Sequence, residues 1–304
     1  MTAASSDSES QKPSYETFRL FSSTDSTSSG FGFFDARQAP SIPPPPCIEV
    51  LGSEASPSVE YSAESVSLDG VTLLKGRVNT QEVFGLSNSD LVPGKYEGGL
   101  KLWEGSLDLT KALNSEIRSG HISFSKKRVL EVGCGHGLPG IFSLLEGAAV
   151  VHFQDFNAEV LRCLTIPNVN TNKFGKPHPS SSNIAICDEE EVRFFAGDWS
   201  EIDKLLPFVD NNAKDGPGYD FILMAETVYS ISSLQTLYNL IKKCLRYPDG
   251  VAYMAAKKYY FGVGGGTRQF LSVVEKDGIM ISTLVAEITD GASNVREVWK
   301  LSFK

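Results

Sequence analysis

The residues that most limit what this chain can become are Glu131-Val132-Gly133-Cys134-Gly135-His136-Gly137. They follow an apolar run at 128–132 and precede a helical pattern that opens with Pro139. Glycines at such a place let the backbone turn sharply and approach a ligand closely, while the free N–H groups at the helix start offer donors to an acidic group. A dinucleotide is one ligand class that uses this geometry, but its G-x-G-x-x-G spacing needs a glycine at 138, where this chain has Leu138. A plain strand-to-helix turn is the simpler alternative. Three glycines with an acid two residues before the first favour a ligand site.

Around this turn, short apolar runs alternate with longer helical patterns. Residues 128–132, 150–154, 192–196, 221–225 and 251–256 read as strands, and 139–145, 158–172, 202–208 and 231–245 as helices. That order is the signature of β-α-β units and predicts an α/β fold on a mostly parallel sheet. Near the end, 279–288 and 295–303 read as two strands joined by Asp290-Gly291-Ala292-Ser293-Asn294, an antiparallel hairpin. Ahead of the rhythm, residues 1–65 are Ser-rich and then Pro-rich, with no sustained period, and are expected to be a disordered tail. Within that tail Phe31, Phe33 and Phe34 form an apolar island, read as a remnant of the disorder rather than a docking motif. The folded domain is expected over 66–304, with a lead-in to about residue 124.

Composition removes several function classes. Lys+Arg 28 against Asp+Glu 37 leaves a net charge of −9, which repels a phosphate backbone and argues against a nucleic-acid coat. No apolar run approaches the roughly 18 residues needed to span a bilayer. The first residues carry Asp7, Glu9 and Glu16 among serines and resemble no leader peptide, so the chain is expected in the cytoplasm or the nucleus. Cys47, Cys134, Cys163, Cys187 and Cys244 are irregularly spaced and pair with none of the four histidines at metal-ligand spacing; they read as reduced thiols, and no metal is expected.

The G-x-G-x-G spacing behind an acid resembles motif I of the class I S-adenosylmethionine-dependent methyltransferases. The resemblance implies a seven-stranded Rossmann-like sheet, with the two C-terminal strands as its hairpin. It also implies that S-adenosylmethionine binds over Gly133 and Gly135, with Glu131 near the amino end of its methionine moiety. Asp155, about 20 residues past Gly133 at the end of the second strand, stands where ribose hydroxyls would lie, with Phe156 and Asn157 beside it. A dehydrogenase would place an acid there too, and such an acid can also serve as a helix cap. Gly197-Asp198-Trp199 follows the third strand, where this fold brackets an adenine: Trp199 to cover the ring, Asp198 to accept from its amine.

Two further segments narrow the resemblance. The fourth strand ends Ala225-Glu226-Thr227-Val228-Tyr229, similar to the D-x-x-Y motif of the family 16 protein methyltransferases with glutamate in the acid's place. Upstream, Gly98-Gly99-Leu100-Lys101-Leu102-Trp103-Glu104-Gly105-Ser106 resembles that family's tryptophan segment, which implies that Leu102 to Ser106 lie along the cofactor with Ala225 opposite. After the fifth strand, Tyr259-Tyr260-Phe261-Gly262-Val263-Gly264-Gly265-Gly266 holds four glycines that each cost backbone entropy, so the loop needs unusual dihedrals or close approach by a neighbour. No Lys-Ser or Lys-Thr pair follows it, which excludes a phosphate loop. With these residues, 92–304 resembles the protein-histidine N-methyltransferase branch of family 16, in which glutamate is the usual acid.

That branch implies methylation of one imidazole nitrogen in a large-subunit ribosomal protein, giving τ-methylhistidine; the partner is expected to be basic and the enzyme a monomer. Glu226 and Tyr229 are then the candidate catalytic residues, and Tyr260, Phe261, Gly262, Gly264, Gly265 and Gly266 the candidate substrate contacts. A neutral imidazole needs no deprotonation before attack, whereas a lysine ammonium at about 10.4 does. A lysine methyltransferase of the same family, a catalytically silent binding module and a dehydrogenase are the alternatives. Binding of S-adenosylhomocysteine but not NAD would separate the last, and turnover on a protein the second.

Overall fold

The computed structural model of the chain describes residues 44–56, 60–86, 90–174, 191–209, 217–289, 291 and 294–304. In chain order the elements are β1 (Ile48–Val50), β2 (Ser62–Leu68), β3 (Val71–Arg77), α1 (Thr80–Phe84), α2 (Glu104–Arg118), β4 (Arg128–Val132), α3 (Leu138–Leu145) and β5 (Val150–Asp155). Then come α4 (Ala158–Val160), joined by a π turn over Leu161–Thr165 to α5 (Ile166–Phe174), β6 (Glu191–Ala196), β7 (Phe221–Ala225), α6 (Leu234–Cys244), β8 (Val251–Lys257), α7 (Thr267–Asp277), β9 (Met280–Ile288) and β10 (Arg296–Phe303).

The main sheet runs β1-β6-β5-β4-β7-β8-β10-β9, with β4 to β8 parallel and β1, β10 and β9 antiparallel to their neighbours. Strand order reverses at β4, and ligands of such sheets bind beyond the carboxyl ends of the strands at that reversal. Period-2 alternation splits the buried strands between two cores. Val129, Val151, Leu223 and Ala255 face Leu109 and Leu113 of α2 and Phe142 of α3, while Leu130, Val132, Ile222 and Met254 face Leu237 and Ile241 of α6 and Phe270 of α7.

The sheet has eight strands among the described residues, not the expected seven. The added strand, β1, lies inside the stretch read as a disordered tail, which also holds a 3-10 turn at Gly52–Glu54 and the start of β2. A three-residue strand is too short to leave a period, and it is held by tertiary partners: its backbone pairs with β6, and Glu49 grips Arg193 through two hydrogen bonds of 2.7 Å. Residues 1–43, including Phe31, Phe33 and Phe34, lie outside the described residues, as do Cys187 and Asp290, Ala292 and Ser293 of the expected hairpin turn.

Two helices also differ from expectation. The pattern at 202–208 yields only a 3-10 turn, Ile202–Lys204, because Pro207 has no N–H to continue a helix. The 231–245 pattern starts with a 3-10 turn, Ile231–Ser233, before α6.

The lead-in forms a β2–β3 hairpin that α5 ties to the glycine turn. Asn172 exchanges hydrogen bonds with the Leu74 backbone at 2.8 and 2.6 Å, and the fully buried Asn168 accepts from Gly76 N at 2.6 Å while donating to His136 O at 2.9 Å. One amide side chain thereby joins the hairpin to the residue between the second and third glycines.

Candidate active site

The carboxyl ends of β4, β5, β6 and β7 and the segments that follow them enclose a cavity of about 530 Å³, within the range of small-molecule sites. Its floor is the glycine turn. Gly133 and Gly135 have φ of 62° and 48°, and a Cβ on Gly135 would lie 2.9 Å from the Gly99 carbonyl oxygen, so the tryptophan segment can lie on the turn only if that residue is glycine.

Asp155 sits at the end of β5 with 4% exposure. Its Oδ2 accepts from Gly135 N at 2.9 Å and its Oδ1 from Asn157 N at 3.0 Å. Burial, aided by the charge of Glu97, pushes its pKa up to about 6, against the lowering effect of those two N–H groups. Next to it the fully buried Gln154 organises the adenine end of the expected site. Its Oε1 accepts from Gly133 N at 3.2 Å and Trp199 Nε1 at 3.0 Å, and its Nε2 donates to Gly197 O at 2.9 Å. Gln154 was not singled out from the sequence, although its place beside Asp155 at a strand end was a usable signal.

Of the residues expected at the cofactor, Trp103, Ser106, Gly133, Gly135, Asp155, Phe156, Gly197, Asp198, Trp199 and Ala225 line the cavity. Five stand elsewhere. Glu131 is a correction: alternation along β4 turns it to the α3 face, where its buried carboxylate accepts from Gly140 N at 2.8 Å and burial raises its pKa. Leu102 packs into the core, Glu104 pairs with Arg296 at 3.0 Å, and Gly105 lies behind Glu226. Asn157 accepts from Glu97 N at 3.1 Å and donates to Lys95 O at 2.8 Å, fixing the segment above the turn.

The cavity wall beyond β7 carries the reactive-looking groups. Glu226 is buried and lines the cavity with a left-handed backbone, φ 57°, unusual for a residue with a side chain. Gly105 N donates to its Oε1 at 3.2 Å and the Tyr260 hydroxyl to its Oε2, while burial raises its pKa. Tyr229 also lines the cavity, and its hydroxyl donates to Glu97 Oε2. The Tyr229 and Tyr260 rings meet nearly edge-on, centroids 6.4 Å apart at 69°.

The glycine loop is built against the chain that carries Tyr229. Gly265 N donates to Tyr229 O at 3.0 Å and Gly266 N to Val228 O at 2.8 Å, and a Cβ on Gly265 would fall 2.2 Å from the first oxygen and 2.3 Å from the second. Gly262 and Gly264 take φ of 87° and 82°. The loop delivers Tyr260 to Glu226, leaves Phe261 78% exposed, and adds Val263 to the cavity lining. Neither Tyr260 nor Phe261 lines the cavity. Pro44, Glu97, Thr227 and Val263 line it without having been expected; Pro44 comes from the segment before β1, which no local pattern marks.

A protein-family profile described as Lysine methyltransferase matches residues 93–277, more than half of the chain. The chain belongs to this methyltransferase family. Within the family it is similar to a histidine protein methyltransferase 1 homolog of Dictyostelium discoideum, 43% identical over 219 residues that cover 72% of this chain and 62% of the relative. A Bos taurus protein of the same description is 35% identical over 255 residues, covering 78% and 64%. The chain thus spans about three fifths of the length of these curated relatives. Among solved structures, a 16S rRNA methyltransferase of T. thermophilus in complex with AdoMet and guanosine aligns at a TM-score of 0.50 and 15% identity, over 82% of this chain and 52% of the other. That likeness shows the fold, a class I methyltransferase sheet. This family membership fits the order of β4 to β10 and excludes the dehydrogenase alternative.

Proposed function

We propose that this protein is an S-adenosylmethionine-dependent protein-histidine N-methyltransferase. The observation that carries the reading is the cavity wall formed by Glu97, Glu226 and Tyr229, with Tyr260 hydrogen-bonded to Glu226 from behind it, in a family member similar to proteins named histidine protein methyltransferase 1. The residues present fit the cofactor: a buried carboxylate at the end of β5, an indole and Asp198 beyond β6, and a glycine turn whose backbone a Cβ would obstruct. When bound, S-adenosylmethionine supplies a methyl carbon activated by a sulfonium. Asp155 would accept from the ribose hydroxyls, Trp199 would cover the adenine face, and Trp103 and Gly133 would hold the methionine end, all four being cavity-lining residues.

A histidine side chain has a reference pKa of about 6.5, so near neutral pH one ring nitrogen already carries a free lone pair. The work left to the protein is to choose the tautomer, align the nitrogen in line and exclude water. Glu226 accepts from two protein donors, Gly105 N and the Tyr260 hydroxyl, and a buried carboxylate so placed suits holding a ring N–H, whereas beside a lysine it would favour the charged ammonium that cannot attack. The target we infer is a basic protein of the large ribosomal subunit, methylated at the τ nitrogen in the cytoplasm or nucleus by a monomeric enzyme. The net charge of −9 supports electrostatic steering to such a partner before RNA covers it.

The test incubates the full chain with labelled S-adenosylmethionine and a ribosomal-protein extract from cells lacking the enzyme, and places the label by mass spectrometry. Methyl on a ribosomal-protein histidine, lost with Asp155→Ala, is expected. Methyl on lysine would overturn the substrate reading, and S-adenosylhomocysteine binding without transfer to any protein would overturn the catalytic one.

A further inference from the structure

Two carboxylates that line the cavity, Glu226 and Glu97, each pair with a tyrosine, and the sequence motifs account for only one of the pairs. Glu226 with Tyr260 belongs to the strand-end motif and the glycine loop. Glu97 with Tyr229 joins a motif residue to one that no motif includes. Glu97 is set by its own segment: Gly94 N donates to its Oε1 at 2.7 Å, and its backbone N donates to Asn157 Oδ1 at 3.1 Å. Tyr229 reaches it from the loop after β7, on the other side of the central strand β4 from the β5 end that anchors Glu97. The phenol is held from behind as well, because Tyr229 O accepts from Gly265 N and its ring meets Tyr260 edge-on. Burial and the adjacent Glu97 charge both raise the Tyr229 pKa, so the hydroxyl keeps its proton.

We propose that Glu97 is a positioning residue that fixes the hydrogen-bond polarity of Tyr229 toward the substrate. A phenol has one proton to donate and lone pairs to accept with. With that proton committed to Glu97, Tyr229 offers only lone pairs to the cavity. It then accepts from the N–H of a neutral imidazole and leaves the opposite ring nitrogen, the one with the free lone pair, to face the methyl. That nitrogen forms its bond to the methyl carbon as the carbon–sulfur bond breaks, with the electron pair leaving on sulfur. The N–H proton stays on the ring, and the resulting methylimidazolium releases it to water afterwards. Positive charge grows on the ring during the step, and the Glu97 carboxylate behind the phenol stabilises that growth most where the ring is correctly oriented. The logic parallels a carboxylate that fixes the orientation of a catalytic partner without touching the reacting atoms. The proposal rests on the histidine reading of this site.

Glu97→Gln tests it, because the amide keeps the shape of the carboxylate and can turn its NH2 toward Tyr229. The phenol oxygen then accepts from Gln, and its proton is freed toward the cavity, where it opposes the substrate N–H. We expect kcat on a histidine substrate to fall roughly tenfold to a hundredfold, with S-adenosylhomocysteine affinity within about twofold of the parent. At saturating cofactor, Glu97→Gln combined with Tyr229→Phe should be no slower than Tyr229→Phe alone, since Glu97 acts on turnover through that hydroxyl. Unchanged kcat in Glu97→Gln, losses that multiply in the double variant, or a cofactor affinity that falls along with kcat would each overturn it. If the unaltered protein methylates lysine, the histidine reading falls and this proposal with it. If it methylates histidine and the two variants act independently, this proposal alone falls.

Discussion

Gly265→Ala isolates what the glycine loop is for. Gly265 has no left-handed φ, so alanine meets no backbone strain there, and its Cβ meets two carbonyl oxygens at 2.2 and 2.3 Å. An ordinary carbon–oxygen contact requires about 1 Å more, so the loop must back away from 228–229. That separation breaks the hydrogen bonds Gly265 N to Tyr229 O, 3.0 Å, and Gly266 N to Val228 O, 2.8 Å. Each is worth about 1 kcal/mol net, giving roughly 2 kcal/mol in all, or about a thirtyfold shift of the loop away from its docked position. Tyr260 leaves Glu226 with it. We expect kcat to fall about tenfold to thirtyfold, S-adenosylhomocysteine affinity to hold, and Tm to drop by no more than about 8 °C. Gly262→Ala is the control: its Cβ meets nothing within 4 Å, and a φ of 87° at an exposed tip costs only about 1 kcal/mol, so its kcat should fall less than in Gly265→Ala. Steady-state kinetics, calorimetric binding and thermal melts on both variants decide it. A Gly265→Ala protein with parental kcat, or one that loses cofactor affinity as fully as turnover, would refute the assignment of this loop to the substrate side.

Two more perturbations follow from the cofactor end. Asp155 has its pKa raised to about 6 in the folded chain, above the roughly 3.9 of an unfolded aspartate, so the ligand-free fold holds this proton longer and the group's contribution to stability falls as pH rises between those values. Ribose hydroxyls favour the ionised form, so S-adenosylhomocysteine affinity should weaken below about pH 6, by up to about tenfold per unit, and Asp155→Asn should remove that slope; flat binding from about pH 5 to about pH 8 in the parent contradicts it. A Cβ on Gly197 would fall 2.3 Å from Cys47 Sγ, so Gly197→Ala should displace the segment that brings Pro44 to the cavity. Cofactor affinity is then expected to drop roughly tenfold with kcat at saturation retained, and unchanged affinity would show that this segment does not close the site.

Much of the fold was readable because its signals are local. The strands 128–132 and 221–225 stand where their apolar runs put them, and β5, β6 and β8 each differ by one residue. Pro207 limits a helix whose apolar spacing looked adequate, which is a local rule the periodicity outweighed. Glu131 shows the opposite lapse: its acid character suggested the cofactor, while the period-2 alternation of its own strand already turned it to the α3 face. Within the site, Gly133, Gly135, Asp155 and Trp199 are recognisable from spacing. Gln154 is marked only by its place beside Asp155 at a strand end, and its role exists only once Gly133, Trp199 and Gly197 surround it.

By itself, then, the sequence determined the order of strands and helices from β4 to β8, the closing hairpin, the glycine turn after the first parallel strand and the acids and aromatics at the strand ends, since each depends on residues close in the chain; α2, α7 and the β2–β3 hairpin were not read from it. The tertiary structure alone decided that Ile48–Val50 extends the sheet beside β6, that Pro44 reaches the cavity, and that Glu97 meets Tyr229 across β4. Those contacts join residues more than 100 positions apart, such as the 132 between Glu97 and Tyr229. Their cost in loop closure is met by burial and pairing of the whole sheet, and no short pattern in the chain records it.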